Sequence, residues 1–219
     1  MSTEAADVER LRASPVADAI RARRLIVVLR RVSPQDRLIS LVQELVAAGA
    51  RIFEITFDGP SAAEDLAACR TALASTPDDG ILIGAGTVRT IEALEAASGV
   101  GADFAVSPVI DRDVLAAALR LGVPCIPGAL SPTEIDAAWR AGATFVKVFP
   151  ASSVGPTHLR EIRGPLREVE LIPTGGIDRD SAPRYLAAGA VAVGIGGAIV
   201  DASSEERSAI VDAVSGAPR

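Results

Sequence analysis

Eight short β-branched apolar runs alternate along this chain with stretches of helical period, and each strand–helix unit takes roughly 20–25 residues of the 219. That alternation predicts an α/β fold: a single (β/α)8 TIM barrel with an extra N-terminal helix. Repeated βα units imply right-handed crossovers and parallel strands. Eight of them over about 200 residues fit the compact end of this architecture. The competing arrangement is an open doubly wound sheet, but no GxGxxG turn follows the first strand.

Residues 1–22 precede the first run. ADVERLRASPVADAIRARR is amphipathic and reads as a helical extension able to cover the barrel bottom, leaving 23–219 for the barrel itself. The expected strands are LIVVLR (25–30), IFEIT (52–56), ILIGA (81–85), DFAVS (103–107), VPCIP (123–127), FVKVF (145–149), VELIP (169–173) and VAVGI (191–195). Between them lie helix-period stretches at 33–50, 61–75, 90–99, 111–122, 131–143 and 180–190. Several open with Ser, Thr or Asp near a proline and close at glycine, which are start and stop signals. The segment VGPTHLREIRG (154–164) gives the weakest helix. No linker or shift in composition divides the chain.

Composition narrows the function classes. The chain is 49% hydrophobic and 23% charged, with a net charge of −6. The arginines are scattered rather than gathered in one stripe, so a nucleic-acid surface is not expected. No apolar run approaches the roughly 20 residues needed to cross a bilayer. The polar, acidic N-terminus has no signal-like segment behind it, which reads as a cytoplasmic protein. With one histidine and two cysteines a Cys/His zinc site is not expected, and the site is read as holding no metal and no cofactor. Cys69 and Cys125 read as buried free thiols. His158 reads as a helix cap or a solvent-facing residue, because no serine sits in a nucleophile-elbow motif.

Active sites of such barrels form at the C-terminal ends of the strands. The polar and glycine-rich features there are Arg30, Glu54 and Thr56, Thr87, Ser107, Gly128, Lys147, Thr174–Gly175–Gly176 and Gly196–Gly197. Lys147, in FVKVFPA, is the only lysine among 22 basic residues. An apolar interior disfavours a charged amine, and a neutral amine in a dry pocket is what Schiff-base formation with a ketone requires. The alternative is a snorkelling lysine or a buried Lys–Glu pair. In FEITF, alternation sends Phe53, Ile55 and Phe57 to one side and Glu54 and Thr56 to the barrel interior. Glu54 can there shuttle protons, neutralise Lys147, or do both. PTGGI and GIGGAI place backbone amides where many barrels bind phosphate, although glycine also serves tight βα turns. Arg30 is a candidate for a carboxylate, or a surface arginine at a strand end.

FEITF, GAGTV (84–88), FAVSP (104–108), IPGALSPTE (126–134), FVKVFPA, GP (155–156) and PTGGI (173–177) stand in the order and spacing of the bacterial KDPG/KHG aldolase family. The resemblance runs from about residue 20 to residue 213. It implies a class I aldolase: a homotrimeric (β/α)8 barrel that needs no metal. Such enzymes cleave 2-keto-3-deoxy-6-phosphogluconate to pyruvate and glyceraldehyde 3-phosphate, and some act on 2-keto-4-hydroxyglutarate. By resemblance Lys147 is the Schiff-base lysine and Glu54 the general acid/base. Arg30 and Thr87 resemble ligands of the pyruvyl carboxylate and nearby oxygens. Thr174, Gly175, Gly176, Gly196 and Gly197 resemble the distal site, Phe149 an aromatic wall, and Pro127–Gly128 a close-approach turn.

Two departures stand out. Many members carry an arginine shortly after E-[IV]-T that helps bind anionic substrate, where this chain has Asp58. Members with a clear phosphate site often have G-S in place of Gly196–Gly197. The alternatives within the family are 2-keto-4-hydroxyglutarate and the galactonate analogue. Outside it stand a phosphate-binding barrel transferase, which leaves Lys147 without a reason, and a non-catalytic sugar-acid-binding trimer.

Overall fold

A computed structural model describes residues 3–74 and 80–217. Residues 1–2 of the expected extension, Ser75 at the end of its helical stretch, and residues 218–219 lie outside the described residues.

Two helices rather than one precede the first strand: α1 (Thr3–Arg12) and α2 (Pro15–Arg23). The break is local chemistry. The ring of Pro15 cannot sit inside a helix, but it fits the first turn, where an amide would go unpaired anyway. Ser14 takes an extended conformation and its hydroxyl accepts the amide of Ala17, capping α2. The pair is pinned from below. Arg12 stacks on Trp139, 3.4 Å from the ring centroid, and donates to the carbonyls of Trp139 and Ala143. Arg21 makes two hydrogen bonds to Glu170, of 2.8 and 2.6 Å.

The strands follow as β1 (Leu25–Leu29), β2 (Ile52–Thr56), β3 (Leu82–Gly86), β4 (Ala105–Val106), β5 (Cys125–Ile126), β6 (Gly128–Ala129), β7 (Val146–Val148), β8 (Leu171–Pro173) and β9 (Val193–Ile195). Between and after them come α3 (Gln35–Ala47), α4 (Ala62–Leu73), α5 (Ile91–Gly99), α6 (Arg112–Leu121), α7 (Pro132–Arg140), α8 (Gly155–Arg163), α9 (Ala182–Ala187), α10 (Gly197–Val200) and α11 (Ser204–Ser215). Every ladder is parallel. The six-stranded sheet runs β5-β4-β3-β2-β1-β9 and the three-stranded sheet β6-β7-β8.

The fifth strand, expected at 123–127, ends at Ile126 in the six-stranded sheet, and residues 128–129 just beyond it pair in the other sheet; Pro127 is the reason for the break. Proline has no amide to donate, so the ladder pauses there, while its carbonyl still accepts the amide of Lys147 at 2.9 Å. Gly128 then passes so close to Pro108 that a Cβ would stand 2.3 Å from its carbonyl oxygen. At the other end a parallel bridge joins Thr174 to Gly194, and the amide of Val191 donates to the carbonyl of Leu171.

Strand alternation sorts the core into two sets. Leu25, Val27, Leu29, Phe53 and Ile55 face the helices, packing with Leu38, Leu41, Leu45 and Leu66. Ile26, Ile52, Phe104, Val106, Ile126, Phe145, Ile172 and Ala192 form a second apolar cluster on the opposite face, and Ala17 and Ile20 of α2 complete it. Helix α2 therefore closes the N-terminal end of this inner face. The C-terminal end is left for polar groups.

Cys69 on α4 and Cys125 on β5 are free and buried. Desolvation pushes both thiols up to about 12, with the charge of Asp65 adding to the effect at Cys69. The folded protein should therefore give almost no reaction with a disulfide reagent over minutes at about pH 8, and both thiols should react after denaturation. A fast thiol in the native state would contradict this packing.

Candidate active site

Inner-facing rows of the strands run from apolar residues to polar or small ones: Ile26–Val28–Arg30, Ile52–Glu54, Phe145–Lys147, Ile172–Thr174 and Ala192–Gly194–Gly196. Lys147 and Glu54 come from β7 and β2, which belong to different sheets. Their side chains are nonetheless brought together. Lys147 Nζ lies 3.8 Å from Glu54 Oε1, and the residues are 3% and 2% exposed. At that distance the pair is an ion-pair contact, too long for a direct hydrogen bond. Glu54 Oε1 has no hydrogen-bond partner, which is costly for a buried carboxylate.

Glycine makes room for the carboxylate. A Cβ on Gly86, the register partner of Thr56, would stand 2.1 Å from Glu54 Oε1. On the other flank the Phe149 ring centroid lies 5.1 Å from Lys147 Nζ. Gly175, at φ +97°, allows that ring to approach: its Cβ would sit 3.2 Å from the Phe149 edge.

Lys147 opens into a cleft of about 850 Å³ at the C-terminal ends of the strands. Arg30, Thr87, Phe149, Thr174, Gly175, Gly176, Gly196 and Gly197 all line it. Glu54 lies behind this wall, reached through Lys147. Thr56 turns away, its hydroxyl 3.4 Å from the carbonyl of Leu29, and faces a second cavity of about 340 Å³. Ser107 is buried without lining the cleft; its hydroxyl accepts the amide of Val109. His158 bonds the carbonyl of Leu130 at 2.8 Å. Among the described residues no three His, Cys, Asp or Glu side chains gather in a metal-binding group.

Thr87 is held at φ +58°, which is rare for a β-branched residue and is found where the surroundings over-determine the backbone. Its neighbour Val88 is fully buried and donates to the carbonyl of Val106 at 3.0 Å, which supplies that constraint. Sequence reasoning missed Val28, Arg89, Pro108 and Asp178, which also line the cleft. Val28 was readable from the period of β1, midway between Ile26 and Arg30. Arg89 lies one residue beyond the GAGTV motif, outside any strand, and no period pointed to it.

Asp58 does not line this cleft. Its Oδ2 is shared by Arg30 Nη1 at 3.2 Å and Arg31 Nε at 3.1 Å, and Arg31 also reaches its carbonyl. An acid facing the pocket would repel a bound carboxylate; Asp58 instead anchors the arginine at the end of β1. Desolvation acts to raise the Asp58 carboxyl. The nearby Thr56 hydroxyl dipole and the charges of Arg30 and Arg31 outweigh it and hold the group below the ordinary value.

The family model for KDPG and KHG aldolase matches residues 16–214. A 2-dehydro-3-deoxy-phosphogluconate aldolase of Treponema pallidum is 39% identical over 163 residues, covering 74% of each chain. A probable 2-dehydro-3-deoxy-6-phosphogalactonate aldolase of Rhizobium meliloti is 34% identical over 178 residues, 81% of this chain and 82% of its own. A solved KDPG aldolase of Legionella pneumophila, with pyruvate captured as a covalent carbinolamine intermediate, superposes with a TM-score of 0.78. It is 27% identical, over 94% of this chain and 99% of that one. This chain belongs to the KDPG and KHG aldolase family, and it is a carbon–carbon lyase.

The sign of the Asp58 effect fixes an acid-stability experiment. A depressed carboxyl stabilises the fold fully above its unfolded value and loses that contribution as pH falls through the lower folded value. Asp58→Asn should therefore flatten part of the stability loss below about pH 3.8, the ordinary aspartate value. Denaturant midpoints measured against pH read this directly, and identical acid limbs in the two proteins would refute it.

Proposed function

We propose that the chain cleaves 2-keto-3-deoxy-6-phosphogluconate to pyruvate and glyceraldehyde 3-phosphate through an imine on Lys147. The observation that carries the reading is a sole, buried lysine facing an equally buried glutamate across 3.8 Å at the floor of a cleft. The Lys147 amine attacks the C2 ketone, and Glu54, with a water in the gap, relays protons through carbinolamine formation and dehydration. The protonated imine draws electrons as the C4 hydroxyl loses its proton and the C3–C4 bond breaks. The product aldehyde leaves, and the enamine is protonated at C3 and hydrolysed to pyruvate. Low-dielectric surroundings strengthen each electrostatic contact in these steps.

Arg30 and Thr87 serve the carboxylate end in this reading, Phe149 walls the imine, and Thr174–Gly176 with Gly196–Gly197 receive the distal phosphate. The scaffold is a closed (β/α)8 barrel: the 123–129 segment bonds to both neighbouring strands, and the Thr174–Gly194 bridge meets β9. Residues 1–22 act as a helical extension on the barrel of 23–219. The protein is cytoplasmic, and no helix among the described residues is long and apolar enough to cross a membrane. Family membership supports a homotrimer, which sedimentation equilibrium should report as three times the 22.5 kDa chain mass; a monomer would contradict it.

A second reading takes the galactonate analogue as substrate. It is supported by the Rhizobium meliloti relative, a probable 2-dehydro-3-deoxy-6-phosphogalactonate aldolase.

Borohydride reduction with pyruvate should add one pyruvate-derived mass to the chain, located on Lys147, and Lys147→Ala should abolish it. A folded protein that gains no adduct would sink the mechanism. Glu54→Gln should lower kcat by about 10²–10⁴-fold with a smaller effect on KM, as expected for loss of a proton relay. The ratio of kcat/KM for the two phosphorylated acids decides between the two substrates.

A further inference from the structure

We propose that Arg89 binds the C1 carboxylate of the 2-keto acid. The inference rests on the aldolase reading above and names a residue that reading did not use.

Three cationic side chains line the cleft, and two already have partners. Lys147 faces Glu54. Arg30 is tied through Nη1 to Asp58, whose same oxygen also holds Arg31. Arg89 lines the same cleft and makes no hydrogen bond or ion pair with any other described residue. All of its planar donor fork is open to a carboxylate.

The backbone beneath Arg89 is fixed on both sides. Val88 is 0% exposed and bonded to Val106, and Thr90 caps α5 by accepting the amide of Ala93. The chain thus holds the base of Arg89 rigidly and leaves only its side chain to move over the mouth. Thr87, two residues earlier, lies on the same wall.

Placement separates this wall from the glycine loops. Thr87 and Arg89 follow β3, which lies between β2 and β4. Gly175–Gly176 follow β8 and Gly196–Gly197 follow β9, with Lys147 entering from β7. A substrate with a carboxylate beside the imine carbon and a phosphate at the far end needs two separate anion sites. The glycine amides suit the far end, and Arg89 suits the near one.

The experiment compares the unaltered protein with Arg89→Gln in borohydride trapping at Lys147. The pyruvate concentration for half-maximal adduct should rise about tenfold or more in the variant, the scale of a lost charged hydrogen bond. With hydroxyacetone, a ketone without a carboxylate, the two proteins should trap alike. Unchanged pyruvate dependence overturns the inference alone. An equal loss with hydroxyacetone also overturns it, because the effect would then be structural. A change in inhibition by inorganic phosphate without a change for pyruvate moves Arg89 to the distal end and overturns it as well. If the unaltered protein traps no pyruvate, the aldolase mechanism fails first and this inference falls with it.

Discussion

The contact between Lys147 and Glu54 sets conditions that much of the fold serves. Removing both groups from water costs several kcal/mol per ion, and a 3.8 Å separation without a direct hydrogen bond returns only part of it. Such a pair survives only where the rest of the core is well packed and the two carriers are held rigidly. The carriers are β7 and β2, which share no ladder, so their approach depends on the whole arrangement of strands. Below them the inner apolar cluster excludes water, and α2 completes that cluster with Ala17 and Ile20. Helix α2 is itself held by the pairing of Arg21 with Glu170.

The small residues around the pair follow from the same requirement. Glu54 fits because residue 86 is glycine, and the neighbouring Gly84 gives way to the ring of Phe104. Gly194 makes room for Thr174 in the same manner, since a Cβ there would meet the threonine hydroxyl at 2.3 Å. Large and small residues thus interlock across the inner face. At the rim, Thr87, Gly175 and Gly176 take positive φ where the chain leaves a strand.

Charge at the mouth is distributed unevenly. On one side Asp58 gathers Arg30 and Arg31 around a single carboxylate oxygen, so substrate must share Arg30 with an existing partner. On the wall after β3, Arg89 stands without a protein partner among the described residues. Exposed ion pairs contribute little to stability, so the cluster at Asp58 matters more for where it aims Arg30 than for holding the fold.

Much of this protein was legible in the sequence. Short apolar runs located the strands other than β6 to within a few residues, because strands of a parallel sheet are buried on both faces, and alternation of side-chain direction is imposed by the pleat. The same alternation placed Glu54 on the inner face and singled out Lys147, whose burial is unusual for its chemistry. What sequence could not supply were relations between segments distant in the chain. The break between α1 and α2 was written locally in Ser14–Pro15 but was masked by a continuous amphipathic pattern. The division of the fifth strand at Pro127 depended on which ladder needed the missing amide. Asp58 read only as a departure from the family pattern; its partners Arg30 and Arg31 are 28 and 27 residues away. Arg89 carried no period because it sits in a loop, and only the tertiary structure places it in the lining of the same cleft as Lys147. Local pattern determined which face each residue takes; tertiary structure alone decided which faces meet, since that depends on distances between segments that no local period encodes.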